Sequence, residues 1–149
     1  MTLLPNRAPL YTYTHSIRCR YGETDKMGYV YYGHYLTYFE EARTEMIRTF
    51  GYPYSRLEKE GMMLPVIYSQ ISYKKPVYYD EVMQIRVHLF DEPAIRLQTY
   101  YEVCTRNGQD LNATGQVTLC FMDEQSRRPC RVPDAFLATV RQTIDDHAT

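Results

Sequence analysis

The sequence predicts an α+β fold, an antiparallel sheet wrapped around one long helix. Two observations carry that prediction. A single segment with helical periodicity sits in the first third of the chain, and four segments with strand periodicity follow it, joined by short turns. One helix with one apolar stripe needs one sheet to cover it, and an antiparallel sheet leaves each strand one packed and one free face.

Taken in order, residues 15–20 alternate through Ser16, Ile17, Arg18, Cys19 and Arg20, the period of a half-buried strand, and stop at the polar turn Tyr21-Gly22-Glu23-Thr24-Asp25. Over residues 35–50 the apolar positions Tyr35, Phe39, Ala42, Met46 and Phe50 recur at spacings of three and four, while Glu40, Glu41, Arg43, Thr44 and Arg48 take other faces. Gly51 stands where a left-handed cap belongs, and Pro53 prevents continuation. A shorter helical turn fits residues 55–60. Strands are expected at 64–73, 81–90, 95–104 and 113–122, punctuated by Lys75-Pro76, Asp91-Glu92-Pro93 and Arg106-Asn107-Gly108, with Asn107-Gly108 as the clearest hairpin signal. A last helix starts near Pro133-Asp134 and carries Phe136, Leu137, Val140 and Ile144 on one side.

The 149 residues show no repeat or polar linker, so one domain over 1–149 is expected, with its core at about 15–135. A chain of this length buries roughly two-thirds of its unfolded surface, enough for a core without staples. The 17 basic and 18 acidic residues are interspersed, which leaves no arm for nucleic acid. Cys19, Cys104, Cys120 and Cys130 form no C-x-x-C pair and have no nearby histidine set, so reduced thiols are expected and a zinc site is not. The opening MTLLPNRAPL lacks the pattern of a leader, and no apolar run approaches the length of about 18 residues that spans a membrane. A cytoplasmic location is the expectation. Sixteen tyrosines and no tryptophan suit a sheet-rich oligomer, because tyrosine favours half-wet surfaces.

The densest region, residues 20–35, links the first strand to the helix. Two glycines, Gly28 and Gly33, flank the approach to a helix start whose unpaired N–H groups favour negative charge. A carboxylate beside such an end could attack a carbonyl, or direct water at it, while the carbonyl oxygen rests on the amides. From the residue types alone, however, Thr24 or Asp25 reads more often as a cap or turn residue.

The segment Asp25-x-x-Gly28-x-Val30-x-Tyr32-x-x-Tyr35, followed by Phe39-Glu40-x-Ala42-Arg43, resembles the 4-hydroxybenzoyl-CoA thioesterase family and its Tol-Pal-associated acyl-CoA thioesterase relatives. The likeness continues through Leu64-Pro65-Val66, Tyr73-x-x-Pro76-x-x-x-Asp80-Glu81, Arg128-Pro129 and Val132-Pro133. It implies a hotdog fold, assembly as homodimers or homotetramers, an acyl-CoA substrate and no cofactor. It also implies that Asp25 acts on the thioester carbonyl as nucleophile or general base, with the Tyr32 amide donating to the carbonyl oxygen and Gly33 beside it. Many bacterial relatives carry histidine in place of Tyr32 and asparagine in place of His34, so the acyl preference differs or is open. Gly28, Tyr29 and His34 are candidates for binding substrate, with His34 placed to orient water or substrate or, equally, to serve as a satisfied histidine near the helix start, and Lys74, Lys75 and Arg128 are candidates for the CoA phosphates. Tyr31, Met62 and Met63 are further candidates for an acyl wall, with packing as the commoner role for such residues. Glu40 or Glu41 is the reserve carboxylate, and Glu40 with Arg43 is spaced for an i,i+3 ion pair. Two other functions fit the same fold: hydrolysis of acyl groups carried by acyl carrier protein, and acyl binding without turnover.

Overall fold

The computed structural model describes residues 4–148. The first and last residues of the chain, including the start of the stretch read as leader-free, lie outside the described residues. The chain forms β1 (Tyr11–Arg18), α1 (Tyr35–Thr49), α2 (Tyr54–Lys59), β2 (Met62–Met63), β3 (Val66–Tyr73), β4 (Val82–Leu89), β5 (Arg96–Thr105), β6 (Asp110–Cys120), β7 (Met122–Asp123) and α3 (Asp134–His147). Five strands make one antiparallel sheet in the order β1-β4-β5-β6-β3, and β2 pairs with β7 in a separate ribbon.

Along α1 the expected stripe is buried: Tyr35, Phe39, Ala42, Met46 and Phe50 all face the core. They meet the inner sheet face, where Met83, Ile85, Val87, Leu97, Val103 and Val117 alternate with outward polar residues. The Phe39 ring stacks on Tyr101 with centroids 4.2 Å apart, and it occupies the place a side chain would take at Gly115 of β6. Truncating such a residue costs about 3–5 kcal/mol. Gly51, at φ +75°, ends α1 in the left-handed conformation expected of it. At the far end of the sheet, Phe136 of α3 packs its ring against Phe50, Tyr52 and Phe121.

Several expectations need correction. The first strand begins at Tyr11, because Tyr11 and Tyr13 continue the inward alternation against Leu89 and Val87, and it stops at Arg18, although the Cys19 backbone still bonds Glu81 and Asp80 beyond it. The β5–β6 hairpin closes through four residues, with Arg106 (φ +54°), Asn107 (+56°) and Gly108 (+87°) all left-handed, so β6 starts at Asp110. The β2–β7 ribbon, two residues a side, is too short to show a period in sequence.

Arg43 does not pair with Glu40. It is only 8% exposed, and its Nη1 donates to the Tyr101 hydroxyl at 3.1 Å. Tyr101 is within 2.6 Å of the Thr99 hydroxyl, which in turn donates to the Val117 carbonyl at 2.8 Å. This relay gives a buried guanidinium its partner without a carboxylate. Glu41 instead meets His15 Nε2 at 2.7 Å, tying α1 to β1. All four cysteines are unpaired, three of them buried. Among the described residues no helix is long and apolar enough to cross a membrane.

Candidate active site

The loop between β1 and α1 is held by its own side chains. Glu23 Oε1 accepts from the Arg20 amide at 2.9 Å, and the Thr24 hydroxyl donates to the Tyr21 carbonyl at 2.7 Å. Asp25 then turns the chain: its amide donates to the Tyr29 carbonyl at 2.7 Å, and its carbonyl accepts from the Gly28 amide at 3.0 Å. Its Oδ1 accepts from the amides of Met27 (2.9 Å) and Tyr29 (3.3 Å). The turn is possible because Gly28 takes φ +85°, a conformation that side chains rarely adopt. The cap-or-turn reading of Asp25 is therefore realised by one oxygen. Among the described residues the other oxygen, Oδ2, has no partner.

Past the turn, the Val30 amide donates to the Val77 carbonyl at 2.8 Å and the Tyr31 amide to the Glu23 carbonyl at 2.9 Å, which pins the loop to the segment after β3. A single 3-10 turn, Tyr32–His34, then runs into α1. The N–H groups of Tyr32 and Gly33 open that turn and have no intramolecular acceptor among the described residues. No acidic residue stands in the first turn of α1 to neutralise its positive end. The Tyr31 ring covers Gly33 so closely that a Cβ there would lie 2.6 Å from it.

These elements enclose a cavity of about 320 Å³ that contains Asp25. Met27, Val30, Tyr35, Tyr73 and Pro76 form its apolar walls, Tyr29 and Tyr32 flank Asp25, and Lys74 and Lys75 stand at its rim. Lys75 Nζ is 3.2 Å from Asp110 Oδ1. The Tyr73 ring meets Tyr35 (5.5 Å) and Tyr32 (6.3 Å) edge-on. Burial, reinforced by Tyr73, pushes the Tyr35 phenol up to about 12, and burial also raises Tyr73. Both are neutral donors at ordinary pH.

The structure thus brings Asp25, Tyr29, Tyr32, Lys74 and Lys75 to one cavity, with the left-handed Gly28 turning the backbone between Asp25 and Tyr29; Gly33 follows Tyr32 but does not itself line the cavity. His34 lies just behind, its ring 5.7 Å from Tyr31 and 6.5 Å from Tyr38. Arg128 is elsewhere: it belongs to the turn after β7, at the opposite end of the β3–β6 pair from Tyr73. Met62 and Met63 line a different cleft with Tyr54, Glu58 and Glu124. Glu40 borders a third, beside Arg43 and Tyr54. Sequence reasoning did not single out Tyr35 and Tyr73 as cavity walls. Their signal was the excess of tyrosine, which does not say which rings converge. No metal-holding cluster of three or more His, Cys, Asp or Glu occurs among the described residues.

Residues 19–140 match the model of the thioesterase-like superfamily. YneP of Bacillus subtilis, named for a candidate acyl-CoA thioesterase activity, is 36% identical over 121 residues, 80% of this chain and 86% of that protein. YbgC of Escherichia coli, named an acyl-CoA thioester hydrolase, is 25% identical over 126 residues, 85% of this chain and 93% of its own. Among solved structures, a DHNA-CoA thioesterase from Staphylococcus aureus superposes with a TM-score of 0.80 at 31% identity, covering 93% of this chain and 95% of that one. A 1,4-dihydroxy-2-naphthoyl-CoA thioesterase from Synechocystis shares the fold at TM-score 0.81 and 18% identity, covering 93% and 99%. With the resemblance carried by residues 25–43 borne out over most of its length, the chain belongs to the thioesterase-like superfamily and has its hotdog fold.

Proposed function

We propose that the protein hydrolyses acyl-CoA thioesters to the free acid and CoA, with Asp25 as the catalytic carboxylate. One observation carries the reading: Asp25, a carboxylate with a free oxygen, and Tyr32, which opens a helix start with unpaired amides, line one apolar cavity. The thioester carbonyl oxygen rests on the Tyr32 and Gly33 amides, where developing negative charge meets preorganised donors. Asp25 Oδ2 either attacks the carbonyl carbon, giving a mixed anhydride that water then hydrolyses to the free acid and the carboxylate, or takes a proton from a water that attacks the carbonyl directly. The C–S bond breaks, and the thiolate leaves and is protonated. Oδ1, held by two amides, keeps the carboxylate oriented throughout. A thioester has weak resonance and a good leaving group, so a carboxylate and two amides suffice without a Ser-His-Asp triad. Gly28 and Tyr29 shape the acyl side, His34 supports the helix start, and Lys74 and Lys75 meet CoA phosphate groups.

The chain works as one hotdog domain, and its partner is a second copy of itself. Strand β3 is a sheet edge, exposed over most of its length, and its sequence VIYSQISY holds neither charge nor proline. Proteins usually blunt an unpaired edge with such residues. Pairing of two β3 strands covers it and sets the second protomer beside Tyr73 at the cavity mouth. Free cysteines fit a cytoplasmic location.

The test is thiol release from short-chain, long-chain and aromatic acyl-CoAs, with wild type and Asp25→Asn side by side. Release that disappears in the variant, with the oligomer intact by sedimentation, supports the reading. Equal release from both removes Asp25 from the mechanism, and silence across the panel removes the activity.

A further inference from the structure

On the outer face of the sheet, away from the Asp25 cavity, three neighbouring strands each supply one polar side chain to a single chain of hydrogen bonds. Thr12 of β1 lies directly opposite His88 of β4, and its Oγ1 is 2.7 Å from His88 Nδ1. His88 Nε2 is 2.8 Å from Oε1 of Glu102 on β5. The imidazole is buried, 7% exposed, with the Phe90 ring 5.9 Å away, so its direction is fixed, whereas Thr12 is exposed. Arg86 Nη1 also faces Glu102 Oε1, at 3.8 Å.

The chemistry of the three groups fixes their roles. The hydrogen bond from His88 keeps Glu102 ionised at neutral pH, so the carboxylate only accepts and Nε2 carries the proton between them. In the neutral imidazole Nδ1 then holds the lone pair, and the Thr12 hydroxyl donates to it. A hydroxyl on a base that a third group orients is the arrangement of an activated nucleophile. Because β1 is the outermost strand, alternate N–H groups along it face the open edge, and such a donor next to the hydroxyl suits an oxygen on which charge develops.

We infer that Thr12 is a nucleophile toward small activated acyl donors, with His88 as its general base and Glu102 as the positioning residue, so that the outer sheet face carries an acylation site separate from the Asp25 cavity. Thr12 Oγ1 bonds to the acyl carbon while its proton passes to His88 Nδ1. The bond from that carbon to the leaving group breaks, the leaving group departs as its anion, and His88 gives the proton to water. None of these steps involves Asp25 or CoA. The same strand supplies internal controls: Thr14 and Ser16 share the outer face and the exposure of Thr12 but stand opposite Arg86 and Gln84.

The experiment treats the full chain with p-nitrophenyl acetate and, separately, with diisopropyl fluorophosphate, whose adduct resists water, and maps the adducts by peptide mass spectrometry. The expected result is modification of Thr12 about a hundredfold faster than of Thr14 or Ser16, falling to about their level in His88→Gln and by about tenfold in Glu102→Gln. Rates are compared within one molecule, so a loss of stability common to the strand does not imitate the result. Thr12 modified no faster than Thr14 and Ser16 by both reagents, or equally fast in wild type and His88→Gln, overturns the assignment. An unchanged rate in Glu102→Gln overturns the positioning role of Glu102.

Discussion

Two clefts of this protein are built from nearly the same residue types. The one at the start of α1 has Asp25, Met27 and several tyrosines; the one beside the β2–β7 ribbon has Glu58, Glu124, Met62, Met63 and Tyr54, and at about 410 Å³ it is the larger. What separates them is backbone. The first is lined by Tyr32, which opens a helix start whose amides have no acceptor among the described residues, and its carboxylate is oriented by amides of Met27 and Tyr29. A carboxylate in an apolar recess becomes a catalytic candidate through the donors fixed around it, more than through the volume it faces.

Charge removal tests that contrast most severely. Asp25→Asn should lower kcat/KM for acyl-CoA about a hundred- to ten-thousand-fold, whereas Glu58→Gln should stay within about twofold of wild type, both read by thiol release. A comparable loss in the Glu58 variant would move the chemistry to the other cleft. Next in size is Gly33→Ala. Its Cβ meets the Tyr31 ring, so the ring or the Gly33 backbone must give way; if the backbone moves, a fall in kcat of about a hundredfold with little change in melting temperature is expected. Unchanged kcat would mean that the ring gives way or that the Gly33 amide is idle.

The remaining two predictions concern the frame common to both clefts. Tyr101→Phe removes the acceptor of the buried Arg43 and should cost about 2 kcal/mol in urea denaturation with kcat retained. On the outer sheet face, the His88 hydrogen bond, stronger than the opposing effect of burial, holds Glu102 below its ordinary value of 4.5. A depressed carboxyl stabilises the fold above its unfolded value and loses that contribution as pH falls through the folded one. Glu102→Gln should thus be about 1 kcal/mol less stable than wild type near pH 7, and the gap should close as the pH falls below the ordinary carboxyl range and Glu102 is protonated in the fold as well. A gap that persists in acid would show that packing, not charge, is what the substitution removes.

The sequence made the fold legible wherever one element buries one stripe. Phe39, Ala42 and Met46 declared the long helix, and Gly51 its end, because those signals are local. Around the candidate site, the turn at Asp25, the left-handed Gly28 and the helix start were legible as local structure for the same reason, whereas the choice of Asp25 as catalytic candidate came from the family resemblance. Arg43 was not, since its partner Tyr101 is 58 residues away and a relay through two hydroxyl groups leaves no periodic trace. Tyr35 and Tyr73 come from different elements and meet only when the sheet closes on the helix. Arg128 shows the converse: a plausible basic residue in sequence, it is carried by the strand direction of β6 and β7 to the wrong end of the sheet for this cavity.

The bare edge of β3 also bears on handling the protein. An uncharged run such as VIYSQISY, free of proline and glycine, has the composition from which cross-β fibrils grow. Whatever covers that edge therefore acts as a guard against polymerisation. If the cover is a second copy, dilution strips it away, and a stock left standing at low concentration should precipitate sooner than a concentrated one.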